Sequence, residues 1–182
     1  MLKSKPINVG KEVDKFFDNS SLAKGNSPKM IIVTGGNAAG KTTLIKEKYS
    51  KGYVVINAEG IYRNIKIFDD FGLESQELVN EIGAKIAQRA INENRNVILE
   101  MIGHKESSMK FLIDAVVAAG YKVDVKHVHA DPVEAYQWHM KAISGDKGYL
   151  PTTNTEEFHR DWVLSAVQHL SKTKGQGFLK KR

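Results

Sequence analysis

The stretch MIIVTGGNAAGKTTLI, residues 30–45, decides the fold. Its apolar run at 31–33 is short and β-branched, which predicts a strand buried on both faces, as in a parallel sheet. Residues 43–50 predict a helix with Leu44 and Ile45 on its inner side. The glycines between the two segments therefore join a buried strand to the N-terminus of a helix.

This connecting segment matches the phosphate-loop pattern Gly-x-x-x-x-Gly-Lys-Thr. Glycines let successive backbone N–H groups point into one concavity, and the helix end adds unpaired donors and positive potential. Lys41 can reach the β- and γ-phosphates of ATP, and the Thr42 hydroxyl can bind Mg²⁺. A flexible turn with a coincidental Lys-Thr pair is disfavoured, because the motif has the strand and helix that it requires. The predicted ATP-binding residues are Gly35, Gly36, Asn37, Ala38, Ala39, Gly40, Lys41, Thr42 and Thr43.

Strand-like and helix-like segments alternate along the rest of the chain. Apolar runs predict further strands at 52–58, 96–102 and 122–130. Helical spacing of apolar residues and helix start and stop signals predict helices at 75–94, 106–120 and 131–143. This alternation predicts an α/β fold, a parallel sheet sandwiched by helices as in P-loop NTPases and kinases.

Composition limits the class of protein. The 182 residues include no cysteine, which excludes disulfides and thiolate metal sites. There is no 18-residue apolar stretch and no segment suited to a signal peptide, so we expect a cytoplasmic protein that does not bind membranes.

The net charge of +6 is concentrated at the two ends of the chain. Residues 1–29 carry six lysines and three acids, and residues 171–182 carry five Lys or Arg and no acids. Basic ends of this kind either bind nucleic acid or are only solubilising. The chain is accordingly predicted to consist of an N-terminal extension (1–29), a P-loop kinase domain (30–172) and a basic C-terminal tail (173–182).

Two acids are predicted at the edge of the sheet where ligands of open α/β sheets bind. Glu59 follows the second strand, where it could take the proton from an attacking hydroxyl, hold Mg²⁺ through water, or be a solvated loop residue. Glu100 ends the third strand like a Walker B acid, where it could hold metal through water, accept hydrogen bonds from the acceptor, or pair structurally with Lys41. Arg63, one turn beyond Glu59, could bind an anionic acceptor or be a plain surface residue.

A capping box of Thr153 and Glu156 predicts the start of a last helix. The segment 139–151 is predicted to be a lid over ATP, because it lies between this helix and the preceding one and contains two glycines and two lysines. Phosphotransferases need cations to neutralise the charge that develops on the transferred group. Lys141 and Lys147 are the candidate lid cations, with His139 and Arg160 as further candidates.

The order of these segments resembles the zeta toxin family of P-loop kinases. The likeness rests on the phosphate loop and on the stretches VVINAEGIYR (54–63), NVILEMIGH (96–104) and VDVKHVHADP (123–132). It implies a kinase that uses ATP and Mg²⁺. Studied members phosphorylate the 3′-hydroxyl of UDP-N-acetylglucosamine and are held inactive by a small antitoxin protein, so the resemblance also implies an antitoxin partner.

The resemblance assigns roles to individual positions. Glu59 falls where the family has a catalytic Asp, and Glu100 falls on the substrate-site Glu of its Glu-Gly-Thr-x-Arg stretch. Here that stretch reads Glu-Met-Ile-Gly-His, so the hydroxyl is replaced and His104 takes the place of the Arg. The family's other substrate-site glutamate falls near Ala84, with Glu81 one turn away. The predicted catalytic residues are Lys41, Glu59 and Glu100, and the predicted acceptor-binding residues are Arg63, Glu81, Glu100 and His104.

The sequence therefore predicts an ATP-dependent phosphotransferase that acts on a hydroxyl of a nucleotide sugar, another small metabolite or nucleic acid. One alternative is a kinase of polynucleotides or of hydroxymethylated DNA bases, which the basic ends favour. Another is an NTPase switch whose output is a partner contact. Against a switch, the chain has no guanine-reading Asn-Lys-x-Asp motif and no second ATPase domain. The intact Lys41-Thr42 pair argues against a non-catalytic scaffold.

Overall fold

A four-stranded parallel sheet forms the centre of the protein. The computed structural model describes residues 7–20, 22, 27–49, 51–67, 71–151 and 155–179, with side chains described as far as residue 173. The strands are β1 (Lys29–Thr34), β2 (Val54–Ile56), β3 (Val97–Met101) and β4 (Lys122–His127), in the order β2-β3-β1-β4. Every pairing is parallel. The predicted α/β architecture is confirmed.

The helices lie on both faces of this sheet. They are α1 (Val9–Asp14), α2 (Lys41–Lys48), α3 (Ala58–Ile65), α4 (Leu73–Asn92), α5 (Glu106–Ala118), α6 (Pro132–Gly145) and α7 (Glu156–Leu179). Alternate residues of β1 point to two cores, because side chains alternate along a strand. Met30 and Ile32 join the larger core, to which α1, α3, α4, α5 and α7 contribute, whereas Ile31 and Val33 pack with Ile45 of α2. The central strand is therefore apolar throughout, as the sequence predicts.

The chain before β1 contributes to the larger core. Val13 of α1 and Phe17, just after it, are buried there. At the other end, α7 continues without a break through residue 173. The predicted divisions at residues 29 and 172 stay predictions.

The segment after β2 differs from the prediction. The expected strand at 52–58 ends at Ile56, and Ala58–Ile65, which lies outside the predicted helices, is helix α3. Asn57 caps this helix, since its side chain accepts a hydrogen bond from the backbone N–H of Gly60 at 3.0 Å. The buried residues of α3 have helical spacing: Ala58, Ile61, Tyr62 and Ile65. Glu59 therefore sits in the first turn of a helix, where a negative charge is favourable.

Gly83 allows close approach of α4 and α7. A Cβ atom at this position would lie 2.4 Å from Cη2 of Trp162, whose side chain is buried. We expect Gly83→Ala to lower the free energy of unfolding by about 1–3 kcal/mol. The buried Trp162 ring cannot move away from the added methyl group, and the cost of this steric clash exceeds the gain in helix propensity. Urea denaturation followed by circular dichroism measures the change. Gly145→Ala is the matched control, because a Cβ there meets nothing within 4 Å; equal stability of the two variants would contradict the prediction.

None of the helices in the described part of the chain has the length and hydrophobicity needed to cross a membrane. The cytoplasmic location stays a prediction.

Candidate active site

The loop between β1 and α2 is shaped to bind phosphate. Gly35, Ala38 and Gly40 all have positive φ, of 146°, 56° and 94°. Such a backbone turns neighbouring N–H groups toward a common anion site at the start of α2. Gly35 is required for a further reason: a Cβ would lie 2.6 Å from the carbonyl oxygen of Val128, which follows β4.

Lys41 lies at the centre of this loop and is only 3% exposed. Its Nζ donates hydrogen bonds to the carbonyl oxygens of Gly35 at 2.8 Å and Gly36 at 2.7 Å. Burial lowers the pKa of Lys41, and the negative charges of Glu100, Glu156 and Glu59 oppose that shift. The ammonium group is thus held in place by the loop itself and faces a set of carboxylates.

Glu100 is the buried carboxylate beside the loop. Its Oε1 lies 3.9 Å from Nζ of Lys41, and its Oε2 accepts a hydrogen bond from Nδ2 of Asn57 at 2.9 Å. The Thr42 hydroxyl is 3.5 Å from the same Oε2. Oxygen donors of this kind are the ligands that Mg²⁺ prefers, so the residues present fit the metal that the phosphate loop implies.

Two cavities meet at this edge of the sheet. The first, of about 410 Å³, is lined by residues 38–43 of the loop, both predicted carboxylates Glu59 and Glu100, and Trp138, Ala142, Tyr149 and Leu150. The second, of about 660 Å³, shares Tyr149 and Leu150 with the first and has aromatic walls formed by Tyr62, Phe71 and Phe158. The structure therefore brings Lys41, Thr42, Glu59 and Glu100 together in one cavity with a larger chamber beside it.

Arg63 connects Glu59 to Asp146, in the middle of the predicted lid. Its Nε and Nη2 donate to Oε1 of Glu59 at 2.9 and 2.7 Å, and its Nη1 donates to Oδ1 of Asp146 at 3.0 Å. These bonds raise the pKa of Arg63 and lower the pKa of Asp146. Arg63 is therefore engaged by two carboxylates, one in α3 and one at the C-terminus of α6.

The predicted lid, 139–151, consists of the end of α6 and the six residues that follow it. His139 and Tyr149 are linked by a hydrogen bond of 2.9 Å between Nδ1 and the phenol oxygen. Lys141 lies over the Trp138 ring, with Nζ 5.1 Å from the ring centroid. Lys147 lines the larger cavity. Neither lysine is among the residues that line the phosphate-loop cavity within the described chain.

Two predicted acceptor residues lie apart from the cavities. Glu81 is half-exposed and forms an ion pair with Lys85 on α4. The exposed His104 has its Nδ1 3.5 Å from Oε2 of Glu156. Glu156 in turn accepts a hydrogen bond from the backbone N–H of Gly103 at 3.0 Å, so it fixes the loop after β3. Among the described residues, neither Glu81 nor His104 lines either cavity.

His159 lies under the site and is not among the residues predicted from the sequence. Its Nε2 accepts a hydrogen bond from the backbone N–H of Ala58 at 2.8 Å, and its Nδ1 is 2.8 Å from the carbonyl oxygen of Glu100. Burial is the main cause that lowers the pKa of His159 to about 4. The available signal was its spacing from Trp162 and Val163, which places all three on the core face of α7.

Acid should therefore destabilise the protein through His159. Its pKa is about 4 in the folded chain and about 6.5 when unfolded. Between these values the unfolded chain binds more protons, so stability is complete above pH 6.5 and falls as the pH drops toward 4, by about 3 kcal/mol for this one group. Urea denaturation at pH 7.5 and pH 4.5 measures the loss. His159→Gln removes the titrating group, so an equal loss in that variant would contradict the assignment.

Comparison with known proteins supports the same fold. The model of the family described as "Zeta toxin" matches residues 13–159. No curated protein sequence matches the chain. A chain of the PezAT chromosomal toxin–antitoxin system of Streptococcus pneumoniae has a TM-score of 0.58 at 14% identity, over 76% of this chain and 64% of that one. A chain of the Pnkp1/Rnl/Hen1 RNA repair complex has a TM-score of 0.50 at 16% identity, over 82% of this chain and 47% of that one.

The present chain thus spans less than two thirds of the length of either structure. At these identities the likeness concerns the fold, which is the P-loop kinase-like α/β fold predicted from the sequence.

Proposed function

Because the chain belongs to the zeta toxin family of P-loop phosphotransferases, we propose that it is a kinase that moves the γ-phosphate of ATP to an acceptor hydroxyl. The observation that carries this proposal is the single cavity that joins the phosphate loop, Lys41 and the carboxylates of Glu59 and Glu100. A switch protein needs a phosphate loop, but it does not need a second carboxylate in the same cavity, such as that of Glu59 in the first turn of α3.

The loop and α2 bind the nucleotide. The N–H groups around Gly40 receive the phosphates, and Lys41 exchanges its bonds to the carbonyls of Gly35 and Gly36 for bonds to phosphate oxygens. The Thr42 hydroxyl would hold Mg²⁺. The bound ion would neutralise part of the phosphate charge. Glu100 lies beside Thr42 and balances the charge of Lys41.

Glu59 acts on the acceptor. Its carboxylate orients the acceptor hydroxyl and takes its proton as the new O–P bond forms and the bond from the γ-phosphorus to the bridging oxygen breaks, releasing ADP. Arg63 fixes the carboxylate in this orientation through its two bonds to Oε1. We place the non-reacting part of the acceptor in the larger cavity, on the other side of Tyr149 from the loop.

Incubation with ATP labelled at the γ-phosphate tests the proposal. The acceptors are nucleotide sugars including UDP-N-acetylglucosamine, nucleosides, DNA with free 5′ ends and hydroxymethylated DNA. We expect label in one of these classes. Transfer to DNA would favour the nucleic-acid alternative over a small acceptor. ATP hydrolysis without transfer to any class would contradict the kinase and favour the switch.

We also propose an inhibitory protein as a partner, because one face of α6 is apolar and exposed. Val133, Tyr136, Met140 and Ile143 recur at helical spacing and are between 46% and 63% exposed. The opposite face of the same helix carries Trp138 and Ala142 into the phosphate-loop cavity. A protein bound to α6 would therefore also control access to that cavity. The similarity to a chain of a toxin–antitoxin system supports this kind of partner.

Expression of the chain alone in host cells tests whether it needs such an inhibitor. We expect slowed growth, and normal growth with Lys41→Ala, because the harm comes from phosphate transfer. Equal growth with the two proteins would contradict the proposal.

A further inference from the structure

His159 is a buried titratable group that the proposed transfer step does not use. We infer that His159 is a positioning residue that fixes the two site carboxylates, Glu59 and Glu100, relative to each other. The inference rests on the proposed function, because it takes these carboxylates to be the groups that act on the acceptor and the nucleotide.

The two hydrogen bonds of His159 determine which ring nitrogen carries the proton. The backbone N–H of Ala58 is a donor, so Nε2 accepts and carries no hydrogen. The carbonyl of Glu100 is an acceptor, so Nδ1 carries the proton and donates. Both bonds are 2.8 Å long and the side chain is buried. The neutral ring is therefore held in one tautomer and one orientation.

Each bond ends on the backbone of a predicted site segment. Ala58 is the first residue of α3 and directly precedes Glu59, whereas Glu100 lies in β3. The side chain of Asn57, the cap of α3, donates to the Glu100 carboxylate at 2.9 Å. His159 thus contacts the start of α3, Asn57 at the start of α3 contacts the Glu100 side chain, and the Glu100 carbonyl contacts His159. Together these hydrogen bonds form a closed ring of contacts.

This ring of contacts matters for phosphate transfer, because it holds a segment of backbone that the sheet does not hold. The strands β2 and β3 are neighbours, but the last paired residue of β2 is Ile56, so the backbone after it is not held by the sheet. The imidazole connects the backbone at the start of α3 to the backbone of β3, beside the side-chain bond from Asn57 to Glu100. Catalytic groups must be held within about 0.5 Å of the productive geometry, and small misplacements cost large factors in rate. His159 is absent from the residues that line the two cavities in the described chain, so it acts through Glu59 and Glu100.

Two variants of His159 each keep one of its two hydrogen bonds and lose the other. His159→Asn can still donate to the Glu100 carbonyl but does not reach Ala58, whereas His159→Gln can reach Ala58 but loses the bond to Glu100. The matched control is Val163→Ala, one turn further along α7, which removes buried volume at a residue that lines neither cavity in the described chain. All proteins are checked for folding by circular dichroism and assayed with the acceptor that the labelling experiment identifies.

We expect both His159 variants to lose at least about tenfold in kcat with the KM for ATP changed less than about threefold, because ATP binds mainly to the loop. Val163→Ala should be destabilised but keep the wild-type kcat. Wild-type kcat in both His159 variants would overturn the inference. So would failure of both to fold at 10 °C, because His159 would then be a core residue on which the whole fold depends.

A measurement that needs no activity accompanies the assay. Hydrogen exchange of the Ala58 amide, followed by NMR, should be slow in the wild type and in His159→Gln and fast in His159→Asn. Fast exchange in the wild type would overturn the inference directly. If the wild type transfers no phosphate but the Ala58 amide is protected, the proposed function has failed and the contact between His159 and Ala58 is still supported. If the wild type is active and the His159 variants have the same kcat, only the inference about His159 has failed.

Discussion

Replacement of Lys41 by alanine should reduce kcat/KM for phosphate transfer by roughly 10²–10³-fold, about 3–4 kcal/mol of transition-state stabilisation. Lys41 is 3% exposed, so its charge acts on the phosphates with little screening by water. Its Nζ also lies 3.9 Å from Oε1 of Glu100. In Lys41→Ala, the phosphates of the nucleotide would lie near the negative Glu100 carboxylate without the positive charge of Lys41.

Calorimetry for ATP–Mg²⁺ binding and steady-state kinetics together measure the effect. Lys46→Ala is the matched control, because Lys46 lies on the exposed side of the same helix α2. The circular dichroism of Lys41→Ala should match that of the wild type, since the side chain makes its hydrogen bonds to the loop and not to the core. Equal ATP affinity and turnover in Lys41→Ala and the wild type would remove the basis of the proposed function.

The second large effect is expected for Glu59→Gln, which keeps the shape of the side chain and removes its charge. We expect kcat to fall by about 10²-fold or more, as is typical when a positioned base is lost, with little change in ATP binding. Glu59→Asp should also lose activity, because the carboxylate of a shorter side chain no longer reaches the same point. Arg63 keeps its bonds to Asp146 in both variants, so the lid stays attached to α3 at that residue.

Glu77→Gln, an exposed acid on α4, is the control for a simple change of net charge. The experiment also separates the two candidate carboxylates. Near-wild-type kcat in Glu59→Gln would reduce Glu59 to a partner of Arg63 and make Glu100 the leading candidate for the base.

Local patterns in the sequence identified most of the fold. The phosphate loop and the strands around it are specified by residues next to each other, so periodicity and glycine spacing were enough. The sequence also contains signals for helix α3. Asn57 is a good N-cap, and the apolar residues that follow it have helical spacing: Ala58, Ile61, Tyr62 and Ile65. The segment is short, contains Gly60 and follows directly on an apolar strand, so its helical spacing is a weak signal.

The contacts around the site could not be predicted in the same way. Arg63 and Asp146 are 83 positions apart, and His159 and Ala58 are 101 positions apart. No periodicity within one segment connects residues at such separations. They meet only because the fold packs α7 against α4 and β3 and brings Asp146, at the end of α6, to Arg63 of α3. The roles of the individual site residues therefore stay predictions until the variants are measured.

The position of β1 in the sheet has a consequence for synthesis of the protein in the cell. β1 carries the phosphate loop, yet its hydrogen-bonded neighbours are β3 and β4, which leave the ribosome much later. At typical translation rates of about 5–20 residues per second, the interval between completion of β1 and of β4 is roughly 5–20 s. During that time the nascent loop lacks the strands that hold it open for a nucleotide. We expect a ribosome-bound chain that lacks β4 to be unable to use ATP, so the proposed kinase activity would begin only after about seven tenths of the 182 residues, through His127, have been made.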